Sequence, residues 1–150
     1  MPACHGSKRG PEPGPKLSFR ALDAQHQRLV ADYEPVSRGL TAYELDYREW
    51  RLGRLSKAGA LVAAKRLRVT VTRAIAALRR DRATGETAAA KRLLLAALEA
   101  RRRALAVAPD GQTYRRDWNR SVVEARRALT LLQDIRDRAR LIPLPEDSVS

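Results

Sequence analysis

Apolar residues recur at intervals of three and four along most of this 150-residue chain, which is the spacing of one face of an α-helix. The pattern starts behind Ser18, a residue type that caps helices well, and continues to about Glu34. Pro35 follows, and the residue before a proline disfavours the helical conformation. We therefore predict a first helix that ends before Pro35, with Gly39 in the turn after it.

A second helix is predicted from Thr41-Ala-Tyr-Glu44, which has the form of a capping box: the hydroxyl and the carboxylate each accept a hydrogen bond from a free backbone N–H. This helix presents Tyr43, Tyr47 and Trp50 on one face. The cluster holds three of the six Tyr and Trp residues of the chain, so it is either an anchor of the core or an exposed platform for stacking. We favour packing in the core.

The third helix is predicted over residues 57–83, with Ser56 as its cap and a heptad-like apolar stripe from Ala60 to Leu78. Within it, residues 67–72 read Leu-Arg-Val-Thr-Val-Thr and alternate as a strand would. A single strand has no pairing partner in this chain, so a helix is the better interpretation.

The fourth helix is expected to begin at Glu86, behind the break at Gly85, and to end at Pro109. The fifth carries nearly four heptads of apolar spacing from Tyr114 to Ala139. Matching apolar faces require layered helix packing. The predicted fold class is therefore all-α: a bundle of about five helices, in which helices three and four form a central basic hairpin and the last helix is long.

The composition divides the chain into three regions. Residues 1–17 contain three glycines and four prolines and are expected to form a disordered basic arm. Residues 18–141 are expected to form the helical domain. Residues 142–150 contain prolines and acidic residues and are expected to form an acidic tail.

The charge of the chain is its largest departure from an average domain. Lys and Arg number 30 against 17 Asp and Glu, a formal charge of +13, and the pI is near 11.1. A GC-rich genome accounts for 25 Arg against 5 Lys, but not for the excess of cations over anions. That excess is concentrated, because residues 57–103 hold thirteen bases and three acids, whereas residues 19–50 and 110–147 are nearly neutral. Such a local charge predicts a polyanionic partner, and nucleic acid is the first choice.

The candidate nucleic-acid contacts are twelve cations of the predicted hairpin. They are Lys65, Arg66, Arg68, Arg73, Arg79, Arg80, Arg82, Lys91, Arg92, Arg101, Arg102 and Arg103. Arg66, Arg73 and Arg80 recur every seven residues and are expected to line one helix face, away from the apolar stripe. Arginine binds phosphate bidentately, and each neutralised phosphate releases counterions. A solvated charged face is the alternative interpretation of any single row, whereas the net charge of the segment favours binding.

The residue types needed for catalysis do not come together in this sequence. The chain has two histidines, His5 and His26, and one cysteine, Cys4, so neither a zinc site nor an internal disulfide is expected. His26 falls on the apolar face of the first helix and is interpreted as a residue at the edge of the core. Without a phosphate-binding glycine loop or a nucleophile with its base, we expect a protein that is not an enzyme and has no cofactor. Neither an apolar run long enough to span a membrane nor a signal peptide is evident in the sequence. We therefore expect a cytoplasmic protein without membrane contact.

Three segments resemble the small subunits of tailed-phage terminases. Leu22-Asp-Ala-Gln-His-Gln-Arg-Leu-Val-Ala-Asp-Tyr33 is similar to that family's opening helix, which typically reads L-x-x-x-Q…F-V-x-x-Y. Thr41-Ala42 leading to Tyr47 resembles its T-x-A-A…G-Y helix, without the Gly-Tyr pair and with a spacing about two residues shorter. Ala63-Ala-Lys-Arg-Leu67, with Val71 and Ile75, resembles the later A…L-L…V…I stretch.

The resemblance covers about residues 20–80. It implies a ring-forming oligomer in the host cytoplasm that binds viral DNA through helix-turn-helix elements. Such a subunit regulates a separate large terminase subunit, which carries the ATPase and nuclease activities of genome packaging.

Three functions stay open on the sequence. The first is a basic, homo-oligomeric helical module that binds nucleic acid, with DNA favoured over RNA. The second is a structural or scaffolding helical protein that self-associates or binds an acidic protein. The third is an RNA-binding component of a ribonucleoprotein.

Overall fold

The computed structural model describes residues 19–141, and this part of the chain is all-α. Its helices are α1 (Phe19–Arg51), α2 (Lys57–Arg80), α3 (Glu86–Ala106) and α4 (Gln112–Leu141), and no strand occurs among the described residues. The predicted all-α class is confirmed, whereas the number of helices is four instead of about five. The predictions for residues 1–17 and 142–150 lie outside the described residues.

The predicted and observed numbers of helices differ because α1 continues through Pro35 without a break. The prediction that Pro35 ends the first helix is therefore wrong. A proline inside a helix removes one backbone hydrogen bond, and its ring crowds the preceding turn. Here Pro35 is exposed, and Tyr33 and Val36 on either side of it are buried. Burial of one continuous apolar face offsets the local cost, because tertiary packing supplies most of the stability of a helix.

The predicted second helix is the C-terminal part of α1, so Thr41 is not a cap. Its hydroxyl donates to the carbonyl of Ser37, one turn earlier, at 3.4 Å. Gly39 is also helical instead of forming a turn. A Cβ atom at this position would lie 3.2 Å from Cδ1 of Leu67 in α2. The glycine therefore allows α1 and α2 to approach each other closely.

α2 begins where the sequence predicted. The hydroxyl of Ser56 accepts a hydrogen bond from the N–H of Gly59 at 3.0 Å and so caps the helix. The β-branched stretch 67–72 is helical, because Leu67 and Val71 belong to the buried stripe and lie one turn apart. The helix ends at Arg80, a few residues before the predicted end at 83.

The turn between α2 and α3 is tied to α1 by hydrogen bonds. The side-chain carbonyl of Gln25 accepts from the backbone N–H of Thr84 at 3.1 Å and from the hydroxyl of Thr87. Gly85 has a φ of 58°, a conformation that favours glycine, and α3 starts directly after it. These contacts hold the turn end of the hairpin, where Arg82 lies, against α1.

Each helix packs against the next one along the chain, and α2 with α3 forms the predicted basic hairpin. α3 is the central element, since it contacts α1, α2 and α4. Three of its alanines, Ala97, Ala100 and Ala104, are fully buried, which permits close helix packing. α2 and α4 do not contact each other. The side of α2 that faces away from α1 and α3 is therefore covered by no other helix of the described part.

Candidate nucleic-acid interface

α2 is the centre of the candidate interface, because it carries seven basic residues and no acidic one. Its eight buried residues form one stripe, and the helix packs on α1 and α3. The cations occupy the rest of its circumference, and all seven are exposed: Lys57, Lys65, Arg66, Arg68, Arg73, Arg79 and Arg80. The prediction that Arg66, Arg73 and Arg80 point away from the apolar stripe is confirmed.

Five of these cations have side chains without an ion pair or hydrogen bond to any residue in the range 19–141. They are Lys57 at the start of α2 and Lys65, Arg66, Arg68 and Arg73 in its middle. The two cations at the end of α2 are engaged: Arg79 pairs with Glu99 of α3 at 2.7 Å, and Nε of Arg80 donates to the carbonyl of Ala76 at 3.3 Å. The positive charge in the middle of α2 therefore has no counter-ion in contact.

The turn and α3 contribute fewer accessible cations than the sequence predicted. Three are exposed and one is half-buried: Arg82, Arg92 and Arg103, and Arg102 respectively. Nζ of Lys91 donates to the carbonyl of Asp81 at 2.6 Å, at the C-terminal end of α2. An ammonium group at a helix C-terminus stabilises the helix, so Lys91 has a structural contact within the hairpin.

Arg101 does not belong to the interface. Its side chain is 2% exposed, and Nη1 donates to the hydroxyl of Tyr33 at 3.3 Å. Its guanidinium carbon lies 5.3 Å from the ring centroid of Trp118, a cation–π contact. The prediction that Arg101 contacts nucleic acid is therefore wrong. Position 101 lies one heptad after Leu94 and one turn before Leu105, so apolar spacing already assigned it to the buried face, and the Arg-Arg-Arg run concealed this signal.

On its α1 side, the basic surface includes a cation that the sequence prediction missed. Burial and the neighbouring carboxyl of Asp81 raise the pKa of Asp32 to about 7, whereas the charges of Arg28 and Arg80 act to lower it. Arg28 of α1 and Arg80 of α2 therefore lie near the same carboxyl group, and Arg28 is exposed. Because residues 19–50 are nearly neutral in total, no count along the sequence singles out Arg28.

An aromatic cluster joins α1 to α4. The hydroxyls of Tyr43 and Tyr114 share a hydrogen bond of 2.7 Å, and burial raises the pKa of both groups. The ring of Trp118 lies 5.4 Å from that of Tyr43, measured between centroids. The prediction of core packing is confirmed for Tyr43, while Tyr47 and Trp50 are half-buried. Tyr47 borders a cleft of about 260 Å³ that only α1 and α4 line.

The remaining sites raised by the sequence contain no metal-binding arrangement. His26 is 8% exposed, in agreement with its interpretation as a residue at the edge of the core. Among residues 19–141, no three His, Cys, Asp or Glu side chains come together as a metal site would require. Nor does any helix of that range have the length and apolar content of a membrane span. Comparisons of the chain with protein-family models, curated proteins and solved structures yield no match.

Proposed function

We propose that this protein binds nucleic acid, DNA in preference to RNA, through the outward side of α2 and the exposed cations of α3 and of the turn before it. The observation that carries the proposal is the group of five cations without partners on a helix that has no acidic residue. Phosphates replace condensed counterions on binding, and the release of these ions drives association. Arginine, which makes up most of the group, offers phosphate a bidentate donor pair.

The resemblance to terminase small subunits supports a role in viral genome packaging, as a homo-oligomer that acts with a large subunit. Two of the resembling segments, residues 22–33 and 41–47, lie on one uninterrupted helix in this chain. A helix-turn-helix is therefore not formed between them. We assign the DNA contact to α2, which contains the third segment.

The salt dependence of duplex binding tests the proposal. Fluorescence anisotropy with a labelled duplex, at about 50 to 300 mM NaCl, should show log Kd rising linearly with log salt. A triple variant with Arg66→Gln, Arg68→Gln and Arg73→Gln should bind more weakly. Its salt slope should be smaller by about 2.7, because each phosphate contact contributes about 0.9.

A matched triple variant on α4 is the control. Arg126→Gln, Arg127→Gln and Arg136→Gln remove three exposed arginines from a helix that does not contact α2. This variant should keep the wild-type slope. An equal loss in both variants would show that net charge and not the α2 surface governs binding, and binding that is absent or insensitive to salt would overturn the proposal.

A further inference from the structure

The outward face of α2 carries a central stripe that is not basic throughout. Residues at alternating spacings of three and four define it: Ala58, Val62, Lys65, Val69, Thr72 and Ala76. All six are exposed, and Val62 and Val69 keep 57% and 45% of their surface accessible. Val62 and Val69 lie one heptad apart, so the two branched apolar side chains share this face with Lys65. The exposed stripe therefore fits a partner whose surface presents apolar groups next to polar ones.

Two rows of arginine border this stripe. Arg66, Arg73 and Arg80 lie on the side of α1. Thr70, one turn after Arg66, has its Cγ2 3.9 Å from where a Cβ atom at Gly39 of α1 would lie. Arg68 and Arg79 lie on the side of α3, where Arg79 pairs with Glu99. At about 100° per residue, the two rows are about 130° apart around the helix, with the stripe between them. The longer row, from Arg66 to Arg80, extends about 21 Å along the axis.

We propose that α2 lies lengthwise in the major groove of duplex DNA, with the stripe against the base edges and one arginine row on each phosphate backbone. This inference rests on the proposed function. The major groove is about 12 Å wide, and an α-helix with its side chains is about 10–12 Å across. Val62 and Val69 match the methyl group of thymine, and Lys65 matches the acceptors of guanine.

Three other occupants of this face fit less well. A second copy would oppose like charges, since α2 has no acidic residue to pair with. A lipid surface would have to take up the ammonium of Lys65, which lies in the middle of the exposed stripe. Duplex RNA has a deep and narrow major groove that does not admit a helix.

Three duplexes of identical charge test the inference by fluorescence anisotropy: an alternating A–T DNA of about 24 base pairs, the same DNA with uracil in place of thymine, and the alternating A–U RNA. The uracil duplex lacks only the thymine methyl groups. The wild-type protein should bind it more weakly by about fourfold for each methyl group contacted. Duplex RNA should bind more weakly than either DNA.

A double variant, Val62→Ala with Val69→Ala, should bind the thymine and uracil duplexes equally while keeping its helicity and salt slope. The control is Val123→Ala with Leu129→Ala, which truncates two similarly exposed apolar side chains on α4 and should preserve the preference for thymine.

Equal wild-type affinity for thymine and uracil DNA, or for RNA and DNA, would overturn the groove inference. The proposed function would survive that result if binding still weakened with salt. Failure to bind any duplex would overturn both. Tighter binding of a helical Glu/Leu peptide than of DNA would assign the face to an acidic protein instead and would also overturn the inference.

Discussion

The guanidinium of Arg101 lies in the core without a carboxylate in contact among the described residues, and its Nε has no hydrogen-bond partner. Burial of a charge costs several kcal/mol, and a desolvated cation–π contact returns about 2 kcal/mol of this cost. We expect Arg101→Met to change the free energy of unfolding by less than about 1 kcal/mol. Methionine has a side chain of similar length but no charge, so the protein no longer has to desolvate a guanidinium group. Arg101→Ala should cost about 2–4 kcal/mol, because it leaves a cavity. Urea unfolding measures both.

DNA binding by Arg101→Met tests whether Arg101 is a core residue instead of an interface residue. Arg101→Met should bind DNA as the wild type does, whereas Arg66→Met should lose affinity at unchanged stability, since Arg66 is exposed and without a partner. Weaker DNA binding by a fully folded Arg101→Met protein would contradict the assignment of Arg101 to the core.

The carboxyl of Asp32 makes stability depend on pH. Its pKa is about 7 in the folded protein against an ordinary 3.8, so between these values the folded state holds a proton that the unfolded chain has released. The free energy of unfolding therefore falls as pH rises from about 4 to 7. Asp32→Asn should be more stable than the wild type above about pH 7, by on the order of 1 kcal/mol because the group is partly exposed. Below about pH 4 the difference should vanish.

Thermal unfolding across this pH range measures the effect of Asp32. The control is Asp23→Asn, which removes a carboxylate from an exposed position of the same helix. A wild-type protein that gains stability relative to Asp32→Asn as pH rises would refute the raised pKa.

Among the elements, α1 contains the clearest local defect, because Pro35 interrupts its hydrogen-bond ladder. Pro35→Ala should raise the free energy of unfolding by about 1–3 kcal/mol, since alanine restores the N–H and removes the steric conflict with the preceding turn. Urea unfolding should show a higher midpoint at the same slope. Loss of stability would mean that packing of α1 depends on the bend the proline imposes. Ser37→Ala, nearby and exposed, should have little effect.

Apolar periodicity predicted α2 and α4 well, because each has one buried stripe and begins near a recognisable boundary residue such as Ser56 or Gly111. It failed at residues 35–41, where Pro35, Gly39 and Thr41 each favour a break locally. The buried face of α1 on both sides of Pro35 decides the outcome, and this face becomes visible only when α2 is packed against it. Local propensity is a weak guide wherever tertiary packing opposes it.

The basic character of the hairpin was likewise predictable from charge counts, whereas the availability of each cation was not. Glu99, Asp81 and Tyr33 come from sequence positions 10 to 68 residues away from the cations they engage. Only the packing of α1, α2 and α3 brings these partners together. The five free cations of α2 are therefore a result of the fold. Four of them were on the predicted list, and Lys57 was not.

The whole molecule combines a charge of +13 with apolar residues exposed on several helices, among them Val123 and Leu129 on α4. Repulsion between copies opposes association at low salt, and its range falls from about 10 Å at 0.1 M to about 3 Å at 1 M salt. The predicted homo-oligomer should therefore form more readily at high salt. Sedimentation velocity at about 50 mM and 1 M NaCl should show a rising sedimentation coefficient, whereas DNA affinity falls over the same range. A coefficient that falls with salt would indicate subunits held by ion pairs, and a monomer at every salt concentration would contradict the oligomer.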